Sequence, residues 1–401
     1  MRQLDLDLLL EACSAGGPSC LSSTTPLKPA AGEMAAIAPA KYAVKGAPRH
    51  DPGTYVFSSR SVHGQPAKVV LIDSSQSQAN RVEQVLSDQI LDGNTALMRI
   101  PRIQVTYKTG NEVCIFTDLQ LPHRAFDAHV RFGTHDDKNV TDNAAYIAAR
   151  DAKPIDASAL LNMSPVSLVF GSWDSTRPKY QGRWPSVLTG ETLGVLVDQD
   201  ASPTTCGKGG ARRDPVGMSV TLTKDAANAI ITPHEAEYST GTANDFRKNG
   251  NGSKVGLGGL PPNLSALGLV ACSEITRMRV LSFAALRQIR FGQSSQSDVA
   301  IRALLASLLI EGIVRADAEL YLRAHCELVE AGPTTSLIDR RHGKFEEISL
   351  PEIDQIDELF STVLTHARQN SPLDWEGQVF EVTGNPAILR GASDDITDSE
   401  D

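Results

Sequence analysis

Residues 67–90, AKVVLIDSSQSQANRVEQVLSDQI, decide the fold class. The first seven residues form a short β-branched run that is typical of a buried strand. In the rest of the stretch, apolar residues recur at helical spacing behind a group of serines that are candidate N-caps. The apolar positions are Ala79, Val82, Val85, Leu86 and Ile90, and the candidate caps are Ser74, Ser75 and Ser77. A strand that leads directly into an amphipathic helix is therefore predicted.

Further elements follow the same two periodicities along the chain. Strands are predicted in residues 164–174, 266–278 and 320–330, a hairpin in 102–118 with Gly110 at its turn, and helices in 279–292, 299–314 and 349–369, with a partly helical segment in 123–159. Residues 13–52 are rich in Ala, Gly, Pro and Ser, so we expect them to wrap over the surface or to be partly mobile. Strand–helix units with hairpins between them predict an α+β fold. The simplest candidate is an antiparallel sheet of the ferredoxin-like, RRM type, with helices on one face and the other face free for a ligand.

Charge is distributed unevenly along the 401 residues. The net charge is −10, which taken whole argues against a nucleic-acid partner. However, residues 346–401 hold fourteen acids and two bases, a net of −12, which leaves +2 on residues 1–345. Residues 275–292 hold four arginines and no acid. These bases could line one groove across the open sheet face, or they could be ordinary solvated charges.

The compartment follows from cysteine usage and hydropathy. Six scattered cysteines without a CxxC pair give neither a zinc knuckle nor a disulfide framework. No apolar run reaches the roughly 18 residues that a membrane helix needs. Two acids precede the first short apolar run, which argues against a secretory signal. We therefore expect a cytoplasmic protein that contacts no membrane and uses no cofactor.

Residues 123–137 hold the densest group of polar side chains that could perform chemistry. The candidates for a metal or catalytic site are His123, Asp127, His129, His135, Asp136 and Asp137. The spacing is not HExxH, and His123 and His129 do not share one helix face. Metal-dependent hydrolysis or RNA cleavage by this cluster is the alternative to a binding function. The other alternative is that these residues have only structural roles, as caps or as ordinary surface side chains.

Two Gly-rich stretches and one Trp-containing loop indicate nucleic-acid binding more than catalysis. The Gly-rich stretches carry Arg212 and Arg213, and Lys254, but neither stretch matches a nucleotide-binding fingerprint. Glycines beside cations allow close approach of the backbone to phosphates, although flexible connectors have the same composition. The loop holds Trp173 and Trp184 interleaved with bases at Arg177, Lys179 and Arg183. Aromatic rings that stack bases next to phosphate-pairing cations suit single-stranded RNA, unless the indoles are core anchors.

Taken together, these segments resemble a known family. The strings GGPSCLSSTTPLKPA with IAPAKY, VVLIDSSQSQANRVEQVL, DLQLPHRAFDA with LVFGSWDSTRPKYQGRWPSVLTGE, and KVGLGGLPPN with SEITRMRVLSFAALRQIRFG occur in one order over residues 13–326. They are similar to the backbone subunit of the type I-G (formerly I-U) CRISPR interference complex, Cascade, of the RAMP superfamily. The acidic C-terminal tail is outside this resemblance.

The resemblance implies a fold and a division of the chain. It implies an RRM-like palm with large helical and loop insertions, a finger and a thumb. We assign residues 1–66 to an N-terminal wrapping segment, 67–345 to the palm with its insertions, 346–390 to a helix and strand extension, and 391–401 to a disordered acidic tail. The thumb could be either Gly-rich stretch.

The resemblance also implies a function and partners. Copies of the subunit stack along one CRISPR RNA (crRNA) and present the guide for pairing with target DNA, without nuclease activity of their own, in antiviral defence. The other implied partners are a fused subunit that processes the repeat and holds the 5′ handle, a large subunit that reads the PAM, and a recruited helicase-nuclease. The RNA-binding candidates are Gln78, Asn80 and Arg81 after the first strand, His123 and Arg124, the Trp173 loop with Arg177, Lys179 and Arg183, and the loop residues Arg212, Arg213 and Lys254.

Overall fold

The computed structural model of the chain describes residues 1–46, 53–109, 112–178, 182–202, 208–217, 219–265 and 267–393. Within these residues the chain forms a nine-stranded sheet, a five-stranded sheet and two two-stranded ribbons, together with helices. The predicted α+β class is confirmed. The predicted hairpin turn at Gly110 and the predicted disordered tail beyond Ser393 lie outside the described residues.

The strands and helices have the following bounds. The strands are β1 (Arg2–Gln3), β2 (Cys20–Pro29), β3 (Phe57–Val62), β4 (Gln65–Asp73), β5 (Arg102–Thr109), β6 (Glu112–Thr117), β7 (Thr134–His135), β8 (Lys138–Asn139), β9 (Ser172–Trp173), β10 (Arg183–Trp184), β11 (Leu188–Leu196), β12 (Lys208–Arg212), β13 (Leu260–Ser265), β14 (Cys272–Ser282), β15 (Leu328–Glu330), β16 (Thr335–Arg340), β17 (Lys344–Ser349) and β18 (Val379–Thr383). The α-helices are α1 (Leu6–Cys13), α2 (Ser75–Leu91), α3 (Ala128–Arg131), α4 (Ala144–Arg150), α5 (Ser158–Leu161), α6 (Pro165–Val169), α7 (Lys224–Ile231), α8 (Thr240–Asn249), α9 (Phe283–Leu286), α10 (Ser295–Ala318), α11 (Ile356–Asn370) and α12 (Pro386–Ser393).

The nine-stranded sheet has the order β1-β17-β16-β2-β14-β11-β4-β3, with β15 also paired to β2. All its pairings are antiparallel except β1 with β17. Strand β2 lies in the middle of the sheet, so the prediction that residues 13–52 wrap over the surface is wrong for this part. Its Ser- and Thr-rich sequence hides the strand, because only its alternate residues Leu21, Thr25 and Leu27 are buried.

The long helices cover one face of this sheet. Helix α10 packs against α1, α2 and α11, and nearly all of its residues are buried, as its uniform apolarity predicts. A Cβ on Gly312 of α10 would lie 2.5 Å from Cγ1 of Val82 in α2. The glycine therefore permits the close approach of these two helices. The first strand and helix quoted from the sequence, β4 and α2, are thus held in the centre of the molecule.

The other face of the sheet carries mostly polar residues that are exposed or half-buried. One cross-strand row on this face runs through Thr335, Thr24, Met278 and Glu191. Thr335 and Thr24 are exposed, and Met278 and Glu191 are half-buried. This row contains no arginine or lysine, and Arg60 on β3 forms an ion pair with Glu191 at 3.2 Å.

The chain between α2 and β11 builds the five-stranded sheet, in the order β6-β5-β18-β7-β8. The C-terminal strand β18 completes it by pairing in parallel with β5. The strand predicted in residues 164–174 is wrong for most of its length, because α6 occupies Pro165–Val169. A short apolar run does not distinguish a strand from a buried helix, and Pro165 fixes the φ angle that suits a first helical residue.

The chain between β11 and β14 forms a separate inserted lobe. It contains α7, α8 and the ribbon of β12 paired with β13. The lobe has its own small core of Ala227, Ile231, Ala243 and Phe246. The two Gly-rich stretches, which the sequence offered as alternative thumbs, belong to this one lobe and contribute one strand each to the same ribbon.

Two further boundaries differ from the predictions. Strand β14 continues to Ser282, so the helix predicted in residues 279–292 shortens to α9. The strand predicted in 320–330 is limited to β15. In the described part of the chain, no helix is both long and apolar enough to cross a membrane.

Candidate nucleic-acid interface

The turn between β4 and α2 is organised around the buried carboxylate of Asp73. Its oxygens accept hydrogen bonds from Gln78 Nε2 at 2.6 Å, Arg81 Nε at 3.1 Å, Ser77 Oγ at 2.9 Å and Arg323 Nη2 at 2.7 Å. Burial by itself raises the pKa of a carboxyl group, but the hydrogen bonds and the charge of Arg81 hold the pKa of Asp73 below its ordinary value. Gln78 and Arg81, two predicted RNA-binding residues, are therefore parts of this internal network.

The arginines of the basic stretch 275–292 extend the network into the core. Arg277 and Arg279 alternate on the helix-facing side of β14 and are 2% and 3% exposed. Arg279 contacts Asp317 of α10 and donates to Gln78 Oε1 at 3.2 Å, and Arg277 Nη2 lies 3.1 Å from Asp317. These two charges are compensated inside the protein and do not face the open side of the sheet.

A cavity of about 560 Å³ lies beside the N-terminal half of α2 and brings Asn80 and Arg124 together. Arg124 donates to both carboxylate oxygens of Glu83, at 2.5 and 2.6 Å, and to the Gly171 carbonyl at 2.6 Å. Burial raises the pKa of Glu83 above its ordinary value, although the ion pair with Arg124 opposes this. Asn80 is exposed at the wall of the cavity, and His123, also exposed, precedes Arg124. Arg124 is therefore fixed in place, and the carboxylate of Glu83 offsets much of the attraction that its positive charge would exert on a ligand.

Three polar residues of this cavity, Gln76, Gln84 and Gln120, were not predicted from the sequence. Gln76, Asn80 and Gln84 lie four residues apart on one side of α2, and all three line the cavity together with Gln120. The signal was present in the sequence, because residues four apart on a helix share a face. Ser74 caps the N-terminus of helix α2, and the Asp73 carboxylate beside it accepts from Ser77 Oγ of the first turn.

The loop with Trp173 forms a small ribbon of β9 and β10. Trp173 pairs with Arg183 across the ribbon, and the Arg183 guanidinium lies over the Trp173 ring, 5.1 Å from its centroid. Trp173 is 51% exposed, whereas Trp184 is buried and is a core residue. The Trp173 ring is thus available for stacking next to a cation. Trp184 is a core anchor, which was the alternative considered for both tryptophans.

Arg177 of the same loop is held by carboxylates. Its Nη1 lies 2.8 Å from Asp151 and 3.6 Å from Asp174. Lys179 lies outside the described residues.

The inserted lobe presents the remaining candidates. Arg212 ends β12 opposite Leu260, and Arg213 follows it; both are exposed. Lys254 lies 3.6 Å from Asp245 of α8 in an exposed ion pair. A Cβ on Gly209 or Gly210 would have no heavy atom of the described chain within 4 Å. Both glycines lie in extended β12, so neither crowding nor a left-handed turn explains them.

Arg277 and Arg279 are buried, so they do not line the trough that the sequence predicted across the open sheet face. Asn80 and Arg124 share the α2 cavity, Trp173 and Arg183 share the small ribbon, and Arg212 and Arg213 lie in the inserted lobe.

The polar cluster at residues 123–137 is divided among structural contacts. Asp127 accepts from the backbone N–H groups of His123 and His129. His129 Nδ1 lies 2.6 Å from Tyr107 Oη, and His135 bonds to the Glu381 carbonyl and stacks on Phe380. Within the residues that the structure describes, no three His, Cys, Asp or Glu side chains are arranged to hold a metal ion.

Comparison with known families supports the predicted resemblance over part of the chain. Residues 21–199 match the sequence model of a family described as CRISPR-associated protein GSU0053. This segment runs from β2 to just beyond β11, so it includes Asp73 itself, the α2 cavity and the Trp173 ribbon, but not Arg323 or Arg279 of the Asp73 network. The resemblance to a CRISPR-associated family is thereby confirmed. No curated protein is similar enough to count as a relative.

Proposed function

We propose that this chain, whose residues 21–199 match a CRISPR-associated family, is the subunit of a type I interference complex that coats the guide RNA. Copies of the chain bind one crRNA side by side and leave its bases free to pair with target DNA. The subunit itself cuts nothing. A repeat-processing subunit at the 5′ handle, a large PAM-reading subunit and a recruited helicase-nuclease complete the machinery in the cytoplasm, and we place the complex in subtype I-G.

The ribbon of the inserted lobe carries this proposal. Gly209 and Gly210 are not needed for packing or for turn geometry, and they precede the exposed cations Arg212 and Arg213. A strand without side chains lets a sugar-phosphate backbone approach the protein backbone closely. Cations at the end of such a strand then pair with phosphates. This arrangement binds any sequence equally, as a coat of a variable guide requires.

Two other features support contact with a single strand. Trp173 and Arg183 offer an exposed ring next to a guanidinium, which suits base stacking without base identity. Asn80 and the N-terminus of α2 offer polar donors beside Arg124. The Asp73 network gives Gln78 and Arg81 an indirect role, because it fixes the position of that helix end.

Co-expression of the chain with a CRISPR array tests the proposal. We expect the affinity-purified chain to carry RNA of uniform length, and sequencing should map this RNA to the array. A chain that emerges free of nucleic acid, and that binds no single-stranded RNA at low salt, would refute the proposal.

A variant and its control test whether the exposed arginines of the inserted lobe bind RNA of any sequence. Replacing Arg212 and Arg213 by Gln should lower RNA recovery for every spacer equally. Replacing Arg247 of the same lobe by Gln should not, because Glu235 already neutralises it at 2.8 Å. Cleavage of complementary RNA that is lost with EDTA or in an Asp136→Asn variant would instead favour the hydrolase alternative.

A further inference from the structure

A second polar cavity, of about 400 Å³, is lined by three arginines from different parts of the chain. Arg131 ends α3, Arg150 ends α4, and Arg177 lies in the loop after β9. Only Arg177 was singled out by the sequence.

Two carboxylates hold these guanidinium groups in place. Asp174 is 1% exposed, and Arg131 Nη1 and Arg177 Nη1 lie 3.5 and 3.6 Å from its oxygens. Asp151 accepts from Arg150 Nε at 3.1 Å and from Arg177 Nη1 at 2.8 Å. The ion pairs to Asp174 are long, and its oxygens have no hydrogen-bond partner of normal geometry among the described residues. Asp174 therefore orients two of the arginines that line the cavity, and Arg131 also donates to Thr176 Oγ1.

Three guanidinium groups thus line one cavity, and the two carboxylates that hold them lie outside its lining. Another anion there would relieve the repulsion among the arginines, and the planar fork of donors on arginine suits phosphate oxygens. Phe132, which also lines the cavity, is 63% exposed. An exposed ring beside an anion site offers a stacking surface for a base.

We infer that this cavity is a phosphate site that takes one nucleotide unit, with its phosphate on Arg131, Arg150 and Arg177 and its base against Phe132. The inference goes beyond the proposed function, because it requires no guide RNA. The same chemistry could come from a free nucleotide or from one unit of a polynucleotide strand, and the probes below distinguish the two sources.

Titration of the full-length chain, stripped of nucleic acid in high salt, tests the inference with inorganic phosphate, AMP and a short oligouridylate. Arg150→Gln removes one guanidinium group and leaves Asp151 paired with Arg177. We expect it to weaken binding of phosphate-bearing probes about tenfold, the loss of one charge-assisted hydrogen bond. Arg99→Gln, an exposed arginine outside the cavity, is the matched control and should leave affinity unchanged.

Two other variants test the cavity without disturbing its ion pairs. Phe132→Ala should weaken AMP binding and leave inorganic phosphate unaffected. Asn139→Asp adds a negative charge at the exposed lining and should weaken every phosphate probe. Both residues are exposed, so the chain should keep its thermal unfolding midpoint.

The pattern of effects identifies the source or overturns the site. Loss of AMP binding in Arg150→Gln supports a site for a free nucleotide. Loss confined to the oligouridylate supports the same site on a polynucleotide strand. Equal affinities of Arg150→Gln, Asn139→Asp and Arg99→Gln for all three probes would overturn the inference, while RNA recovered from cells would still report on the proposed function.

Discussion

Arg323 Nη2 lies 2.7 Å from Asp73 Oδ1, although 250 residues separate the two in the chain. Arg323 also donates to the Ile72 carbonyl at 2.8 Å, and Arg81 donates to the carbonyls of Tyr321 and Leu322. The segment after α10 is therefore fastened to the end of β4 by two guanidinium groups. The Asp73 carboxylate therefore holds strand β4, helix α2 and this distant segment together.

Asp73→Asn should destabilise the fold more than any exposed Asp-to-Asn change. The amide keeps the shape of the side chain, but it leaves Arg81 and Arg323 without their anion. Breaking a buried ion pair from one side costs about 3 kcal/mol in the free energy of unfolding. Denaturant unfolding measures this loss. Asp354→Asn, at an exposed position, is the control, and equal midpoints for the two variants would contradict the network's role.

The same network marks the limit of what the sequence could reveal. Residues 67–90 predicted β4 and α2 closely, because their periodicities are local. The sequence could not show that Arg277 and Arg279 are buried, because their partner Asp317 lies on another element. A stretch with four bases and no acid instead resembles a binding patch. Gln78 was predicted to bind RNA for a related reason. Its position on the helix was correct, but the sequence does not show that its side chain is buried against Asp73 and Arg279.

Replacement of both Arg212 and Arg213 by Gln should weaken single-stranded RNA binding and also reduce its salt dependence. Each phosphate contact contributes about 0.7 to the slope of log affinity against log salt for single strands, so the slope should fall by about 1.4. Fluorescence anisotropy at several salt concentrations measures it. Arg247→Gln should leave the slope unchanged, and a slope that stays the same in the double variant would remove the ribbon from the interface.

Trp173→Ala should weaken RNA binding without regard to sequence, because the lost interaction is stacking. Base–aromatic stacking contributes about 1–3 kcal/mol per base. Trp173→Phe should retain part of this energy, and the affinities for oligouridylate and oligoadenylate should fall together. Phe345→Ala, which changes a somewhat more exposed aromatic residue on β17, is the control. An effect of the same size in this control would mean that general surface apolarity, and not Trp173, binds the strand.

The ribbon of the inserted lobe shows why the sequence left two thumbs open. Each Gly-rich stretch had the composition of a loop, and about fifty residues separate Gly210 from its partner Asn263. Pairing over that distance depends on α7 and α8 between them, whose small core closes the lobe. Neither stretch shows the alternation of apolar and polar residues that predicts a strand, because both are rich in glycine and proline.

Asp118 should make the stability of the chain depend on pH in the neutral range. Its carboxyl group is fully buried beside Thr117, and its two oxygens have no hydrogen-bond partner of normal geometry among the described residues. Burial raises its pKa from 3.8 to about 7. The folded state therefore binds a proton that the unfolded state has already released. Its favourable effect is full below about pH 4 and is lost as the pH rises through about 7.

Asp118→Asn removes this proton linkage while keeping the size of the side chain. The pKa shift of about three units corresponds to at most about 4 kcal/mol. The variant should therefore be more stable than the parent chain at pH 8, and the difference should shrink steadily as the pH falls towards 4. Denaturant unfolding at several pH values measures it, with Asp354→Asn as a control for an exposed carboxyl group. If the difference between the variant and the parent chain were the same at every pH, the buried carboxyl group would have to be ionised throughout, and compensation by a charge such as Arg102 would be the better account.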